Sequence, residues 1–271
     1  MDIAQENITD QQNLTNPSNR KKLNVFEGLD PEIKVRTRKM MMWFIIFAVV
    51  MLFAGVTSAI IVLNGKLIWL HISPPMSLWF SLLLVALSSA TMILAVKAVK
   101  QGNQKAAITL TMLTLLMGIG FTITQDQGWN ALSDRGIGYT ITQNEQGLKA
   151  YRWNTLGKIT GTYGTDYWFE MNNEKLVLEN GEYYIPSQPA TPVTNTVMTT
   201  FNAGGAMISV LIYVHIIHLF FGLFYLVINT VRLLKGVINK DNSLSLYVGG
   251  MYWHFMGFLW AYLFFFLFFI Y

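Results

Sequence analysis

The sequence predicts an all-α membrane protein with five transmembrane helices and a small β-rich insertion on the outer side of the membrane. Three observations lead to this fold class. First, 53% of the 271 residues are hydrophobic and only 13% are charged, which leaves too few charges to cover a water-soluble core. Second, the hydrophobic residues are concentrated in five runs of the length that a bilayer crossing requires. Third, a long polar segment between the third and fourth runs alternates as β-strands do.

The five hydrophobic runs contain no Asp, Glu, Lys or Arg. They cover residues 40–63, 76–96, 106–123, about 206–231 and about 247–271. At 1.5 Å per residue each is long enough to cross a hydrocarbon layer of about 30 Å as a helix. A β-barrel is excluded because the runs are too long for barrel strands and do not alternate.

The orientation follows from the basic residues next to the runs. Lys and Arg are frequent before the first run, between the second and third, and between the fourth and fifth, whereas the short connection 64–75 carries only Lys66. Because cytoplasmic connections are enriched in Lys and Arg, the N-terminus is predicted inside and Tyr271 outside.

This orientation divides the chain into four parts. They are a cytoplasmic N-terminal tail (1–39), helices one to three (40–129), the outer β-rich insertion with a Pro-rich tether (130–201), and helices four and five (202–271). The tail is interpreted as retained, because the run after it is too long for the apolar part of a cleavable signal. The net charge of +4 is interpreted as favouring contact with the anionic headgroups of a membrane surface, and not as a sign of nucleic-acid binding.

Strands are predicted in the insertion at residues 139–142, 148–153, 158–163, 167–171, 175–178 and 183–185. Asn180-Gly181 is a strong hairpin signal because both residues tolerate positive φ, and Asn172-Asn173 is a weaker one. These strands are expected to form an antiparallel meander. Pro186, Pro189 and Pro192 are expected to form an extended tether back to the membrane.

Residues for cofactor chemistry are few. The chain has no cysteine, which excludes iron–sulfur clusters, thiolate-bound copper and covalently attached c-type haem. His215 and His218 stand three apart on the fourth run, as two ligands could, and His254 lies on the fifth. A b-type haem needs axial ligands from facing helices. The competing interpretation is that these histidines form hydrogen bonds across helices or to lipid.

Two stretches resemble one known family. His215-Ile-Ile-His218 followed by Gly222 and Arg232 resembles the pattern His-x-x-His-x-x-x-Gly and later arginine of cytochrome c oxidase subunit III. Residues 252–255, Tyr-Trp-His-Phe, with the later Trp260, resemble the last helix of the same family. The similarity extends over about residues 36–128 and 202–271, and it matches the five-helix form found in some bacteria.

The sequence also departs from this family. Val49 stands where the family's first shared helix commonly has a buried glutamate, and Gly257 replaces an aspartate after Tyr-Trp-His-Phe. A proton-uptake role at Val49 is therefore not carried over. Most of residues 135–192 have no counterpart in the family.

The resemblance implies a function. A subunit III is a non-catalytic part of a proton-pumping, oxygen-reducing complex of the respiratory chain in the bacterial inner membrane. It would pack against catalytic subunit I, hold phospholipid in a cleft and sustain turnover, while haem and copper are bound by partner subunits. This chain would have no active site and no metal or cofactor of its own.

The resemblance also implies roles for single residues. Arg232 is expected to bind a lipid phosphate, and His215, His218, His254, Gly222 and Trp253 to contact lipid or pack helices. The outer insertion is expected to contact a supercomplex partner or a cytochrome c domain. Two other classes stay open: a b-haem membrane anchor, and a membrane assembly or sensor protein that uses the insertion.

Overall fold

The structure is a computed structural model that describes residues 31–63, 68–134, 140–143, 149–152, 162–165, 167–200 and 202–270. The chain divides into two compact units, residues 1–41 and 42–271. In the first unit the described residues are 31–41, the helical beginning of α1. All contacts below belong to the second unit.

The described residues form six α-helices. They are α1 (Pro31–Leu63), α2 (Met76–Lys100), α3 (Gln104–Asp134), α4 (Thr194–Thr200), α5 (Asn202–Leu234) and α6 (Leu244–Phe265), which continues as a π-helical turn, Phe266–Ile270. All except α4 are long and apolar enough to cross a membrane, so the prediction of five membrane-crossing helices is confirmed within the described part of the chain.

The helices extend beyond the hydrophobic runs because polar residues continue them. Helix α3 runs to Asp134, eleven residues past the predicted end at Ile123.

Local sequence explains where α2 and α5 end. After α2, Gly102 has a φ of 79°, and the residue that follows it, Asn103, donates a backbone hydrogen bond to the carbonyl of Ala98. After α5, Gly236 has a φ of 70°, and Val237 donates in the same way to the carbonyl of Arg232. These are Schellman ends, in which glycine adopts the left-handed conformation at low cost.

Helices α2, α3, α5 and α6 pack into a bundle in which α2 contacts α3 and α6, and α5 contacts the same two helices. Small polar residues lie inside it. Thr91 of α2 and Thr114 of α3 are hydrogen-bonded at 2.8 Å, and Gln125 Nε2 of α3 donates to Ser81 Oγ of α2 at 2.8 Å. From α1, Phe53 and other apolar residues join the same core.

The strands form three small antiparallel sheets. The first has the order β1-β4-β5, from Trp69–Ile72, Tyr167–Met171 and Glu174–Lys175. The second pairs β2 with β3, Thr140–Gln143 with Lys149–Arg152. The third has the order β6-β7-β8, from Val177–Glu179, Glu182–Ile185 and Gln188–Pro192. We use the name outer unit, after the side of the membrane that the sequence predicts for it, for residues 68–72, 162–165 and 167–200.

The two predicted hairpin turns are confirmed. Asn172 and Asn173 connect β4 to β5 with φ of 54° and 63°, and Asn180 and Gly181 connect β6 to β7 with φ of 54° and 83°. The strand predicted at 158–163 lies largely outside the described residues, and its last residue, Tyr163, forms an isolated bridge with Tyr167.

Two expectations about the insertion were wrong, and one strand was missed. The strands do not form one meander but separate sheets. The Pro-rich tether is itself strand β8, which pairs with β7, as edge strands can accommodate proline. Strand β1, in the connection between the first two predicted spans, was not predicted, and it pairs with β4 so that Trp69 lies opposite Glu170. The insertion is thereby joined to a second connection of the bundle.

The outer unit has its own apolar core. Its buried members are Ile68, Phe169, Leu176, Tyr183, Ile185 and Val197. Phe169 is fully buried and contacts the Tyr183 ring edge-on at 5.3 Å. Tyr163 closes this core by donating from its hydroxyl to the carbonyl of Leu176 at 2.8 Å.

Candidate functional site

The residues singled out in the sequence lie on two helices, α5 and α6, and several of them meet where these helices pack. His215, His218, Gly222 and Arg232 belong to α5. Trp253 and His254 belong to α6. We call the contact between these two helices the α5–α6 seam.

Gly222 is a point of close approach in the seam. A Cβ atom at Gly222 would lie 3.2 Å from Cε1 of Tyr252 and 3.8 Å from Cε3 of Trp253. The Tyr252 hydroxyl crosses the seam and donates to the carbonyl of His218 at 3.1 Å. Glycine therefore lets α5 approach two aromatic rings of α6, which is how small residues act at membrane helix contacts.

Trp253 connects α6 with α2 and α3. Its side chain is 2% exposed, and its Nε1 donates to Ser88 Oγ of α2 at 3.1 Å. A Cβ atom at Gly118 of α3 would lie 2.8 Å from Cη2 of Trp253. The indole thus occupies space that the glycine leaves open.

The two histidines of α5 have different surroundings. His218 is half-buried, and its Nδ1 lies 2.7 Å from the carbonyl oxygen of Val214. Because a carbonyl only accepts, this contact places a proton on Nδ1. His215 is 3% exposed, and neither of its ring nitrogens has a hydrogen-bond partner within the described chain. Both rings contact Phe53 of α1 edge-on, at 6.4 Å for His215 and 6.0 Å for His218.

Among the described residues, the histidines do not form a metal-binding cluster with acidic residues. Where the chain is described, no three His, Asp or Glu side chains lie close enough together to hold a metal ion. His254 is half-buried on α6. The arrangement of these residues is one of ring packing and helix-to-helix hydrogen bonds.

Arg232 lies at the end of α5 in a polar network. Its Nη1 donates to Ser245 Oγ of α6 at 3.2 Å, and Ser245 Oγ in turn donates to Asn229 Oδ1 at 2.7 Å. The Tyr225 hydroxyl lies 3.3 Å from the same Ser245 oxygen. Arg232 is half-buried, so this network holds one side of the guanidinium. Arginine's fork has further N–H donors for an anion.

The members of this network other than Arg232 were missed in the sequence. Asn229 is fully buried, and an Asn inside an apolar run is a signal of a helix-to-helix contact. Gly249 is a second signal, because a Cβ atom there would lie 2.8 Å from Asn229 Nδ2 and 2.8 Å from Tyr225 Cε1. Ser245 lies just inside the start of α6 and has no distinguishing pattern.

A second polar cluster lies on the first sheet of the outer unit. His71 Nε2 of β1 lies 3.0 Å from Glu170 Oε2 of β4. The His71 ring stacks on Trp168 at 5.2 Å with an interplanar angle of 7°, and Lys175 Nζ lies 4.9 Å from the centre of a Trp168 ring. Burial lowers the pKa of His71, and the nearby carboxylate of Glu170 opposes this effect.

No protein-family model matches the chain, and no curated protein matches it significantly.

Proposed function

We propose that this chain is the non-catalytic third subunit of a haem–copper cytochrome c oxidase in a bacterial inner membrane. In this role it packs against the catalytic subunit and holds phospholipid, while partner subunits bind haem and copper. The observation that supports the proposal most directly is the contact between two sequence motifs in the α5–α6 seam. Two motifs that resemble the family lie about thirty residues apart in the chain, and His218 and Gly222 of the first contact Tyr252 and Trp253 of the second.

The proposal includes an orientation with the N-terminus inside and the C-terminus outside. It is supported by the end of the bundle where the basic connections meet. Gln104 Nε2, at the start of α3, donates to the carbonyl of Leu233 in the last turn of α5 at 3.1 Å and to that of Ile238 beyond the helix at 2.8 Å. The connections α2–α3 and α5–α6, with Lys100, Lys105 and Lys240, therefore lie together, as cytoplasmic connections rich in lysine would.

In this proposal the outer unit lies on the side away from the cytoplasm. It would contact a supercomplex partner or a cytochrome c domain. The support is a surface with both apolar and acidic residues on the β6–β7 hairpin: Val177 and Leu178 are each 40% exposed, and Glu179 and Glu182 are exposed beside the turn. Surfaces of mixed character of this kind occur at transient interfaces.

Purification tests the assignment. A tag on this chain in its native host is expected to isolate oxidase subunits together with haem and copper, and the chain expressed alone is expected to be colourless. Stoichiometric haem in the isolated chain would favour the b-haem anchor. Isolation of partners other than oxidase subunits would favour the assembly or sensor class.

The role of Arg232 is tested by two substitutions at the same position. Arg232→Lys keeps the positive charge but loses the planar fork, whereas Arg232→Leu loses both. We expect both variants to assemble but to lose tightly bound phospholipid, and the complex to inactivate sooner during sustained oxygen consumption. Lipid mass spectrometry and the decay of oxygen uptake are the measurements.

Lys235 supplies the matched control because it is exposed at the same end of α5. Lys235→Leu should leave lipid content and decay unchanged. If Arg232→Lys behaves like Lys235→Leu in both measurements, Arg232 contributes only its charge to membrane topology.

A further inference from the structure

Two aromatic rings with unsatisfied polar atoms face each other inside the bundle. His215 of α5 is 3% exposed and Trp260 of α6 is 1% exposed. Within the part of the chain that the structure describes, neither the two ring nitrogens of His215 nor Nε1 of Trp260 has a hydrogen-bond partner. Buried donors and acceptors without a partner are costly, and folded proteins almost always satisfy them.

The two rings are close and enclosed by aromatic side chains. Their centroids lie 5.6 Å apart with an interplanar angle of 31°. Phe53 of α1 lies edge-on to His215 at 6.4 Å. Phe121 and Trp129 of α3 lie edge-on to Trp260 at 6.0 and 6.1 Å. The polar atoms therefore lie in an enclosure of aromatic rings between α1, α3, α5 and α6.

The same two helices satisfy equivalent groups elsewhere with protein atoms. On α6, Trp253 Nε1 donates to Ser88 Oγ at 3.1 Å. On α5, His218 Nδ1 donates to the carbonyl of Val214 at 2.7 Å. The contrast sets His215 and Trp260 apart as a facing pair that has no hydrogen-bond partner among the described residues.

The chemistry of the enclosure limits what that partner can be. Neutral imidazole has one N–H donor and one acceptor, and indole has one donor. A metal ion would need further ligands, and no three His, Asp or Glu side chains converge among the described residues. A bridging molecule must both accept and donate a hydrogen bond, and water is the smallest molecule that does both.

We propose that His215 and Trp260 form a buried binding site for a single water molecule. The water accepts a hydrogen bond from Trp260 Nε1 and donates one to the unprotonated ring nitrogen of His215. Two hydrogen bonds of about 2.9 Å that meet at a tetrahedral oxygen require the two ring nitrogens to lie about 4.7 Å apart. The centroids of the two rings are 5.6 Å apart. Buried waters typically satisfy such groups with two or more polar partners. This water would join α5 to α6, and the proposal does not depend on the oxidase assignment.

Vibrational spectroscopy of the purified full chain tests the site. The ultraviolet resonance Raman band that reports hydrogen bonding at the indole N–H can be assigned to Trp260 by subtracting the spectrum of Trp260→Phe. We expect Trp260 at the hydrogen-bonded position in the wild type and at the free position in His215→Phe. A free N–H in the wild type, or a bonded N–H that His215→Phe leaves unchanged, would overturn the proposal.

Ser88→Ala is the matched control. It removes the acceptor of Trp253 and should move the Trp253 band to the free position without changing the Trp260 band.

A second measurement uses only the wild type and Trp260→Phe, so it stands even if His215→Phe does not fold. In the infrared spectrum, a band from an isolated water should shift in water of heavier oxygen isotope and disappear in Trp260→Phe. A wild-type spectrum without this isotope-sensitive band would show that no water is bound between His215 and Trp260 and would refute the proposal.

Discussion

The helix bundle and the outer unit both have an apolar core, but they differ in where their polar and their exposed apolar side chains lie. In the bundle, Ser81, Ser88 and Thr114 are fully buried, while Phe220 and Phe258 are 65% and 74% exposed. In the outer unit the buried residues are apolar, and Glu179 and Glu182 are exposed. Exposed aromatic residues are stable where the surroundings are lipid, and hydrogen bonds with close packing then hold the helices together. The outer unit depends on the hydrophobic effect in water.

The largest expected effect tests the hydrophobic core of the outer unit. Phe169→Ala removes a fully buried ring that contacts Tyr163, Tyr167 and Tyr183. We expect a loss of about 3–5 kcal/mol of local stability, as for other core Phe truncations. Hydrogen exchange should rise across the outer unit and stay unchanged in α2, α3, α5 and α6.

Phe258→Ala on α6 is the comparison variant. Its ring is 74% exposed, so in lipid the change should cost little. Equal losses in the two variants would contradict the difference in driving force between the two regions.

A smaller effect tests close packing in the bundle. Gly118→Ala places a methyl group 2.8 Å from Cη2 of Trp253 and 2.9 Å from Cδ2 of Leu223. Overpacking of this kind costs about 1–3 kcal/mol, and the thermal midpoint in detergent should fall. Gly120→Ala on the same helix meets Leu84 Cδ1 at an ordinary 3.7 Å and should leave the midpoint unchanged. Helix propensity favours alanine over glycine and would raise the midpoint in both variants, so a fall of the same size in both would show that contact with Trp253 does not set the result.

The smallest effect concerns pH and the outer unit. Burial lowers the pKa of His71, against the raising effect of Glu170. Between this lowered pKa and the ordinary value of about 6.5, the unfolded chain binds more protons than the folded one, so stability rises with pH in this window. Acidification from about pH 7.5 to 5 should therefore increase protease cleavage in β1 and β4.

Two variants identify the group responsible. His71→Gln should remove the pH dependence of protease cleavage between the lowered pKa of His71 and about 6.5. Glu170→Gln removes the carboxylate that raises the His71 pKa, so the dependence should persist and extend to lower pH. Cleavage that increases with acid equally in His71→Gln would assign the effect to another group.

The same contrast explains which parts of the structure could be predicted. The bilayer fixes helix length and composition, so the five long helices follow from hydrophobicity alone. Strand β1 could not be found in this way, because Trp69–Ile72 is a strand only through its pairing with Tyr167–Met171. The prediction of a tether at β8 failed for the same reason, since prolines fit both a linker and an edge strand.

At the candidate site, sequence identified positions but not partners. His215, His218, Gly222 and Arg232 were recognised by their spacing. The partners Ser88 and Ser245 depend on how far each helix is rotated about its axis, and nearly uniform hydrophobicity around a membrane helix does not specify that rotation.

The pairing of β1 with β4 has a consequence for biosynthesis. Trp69 leaves the ribosome about a hundred residues before its partner Glu170. During that interval β1 has no strand beside it, and its backbone groups must stay hydrated or be covered by another protein. Contacts between such distant segments form slowly, because the chain between them must first be ordered. The outer unit can therefore fold only after α3 and the segment that follows it have been synthesised. The pairing of β1 with β4 then joins the first and third connections of the bundle late in folding.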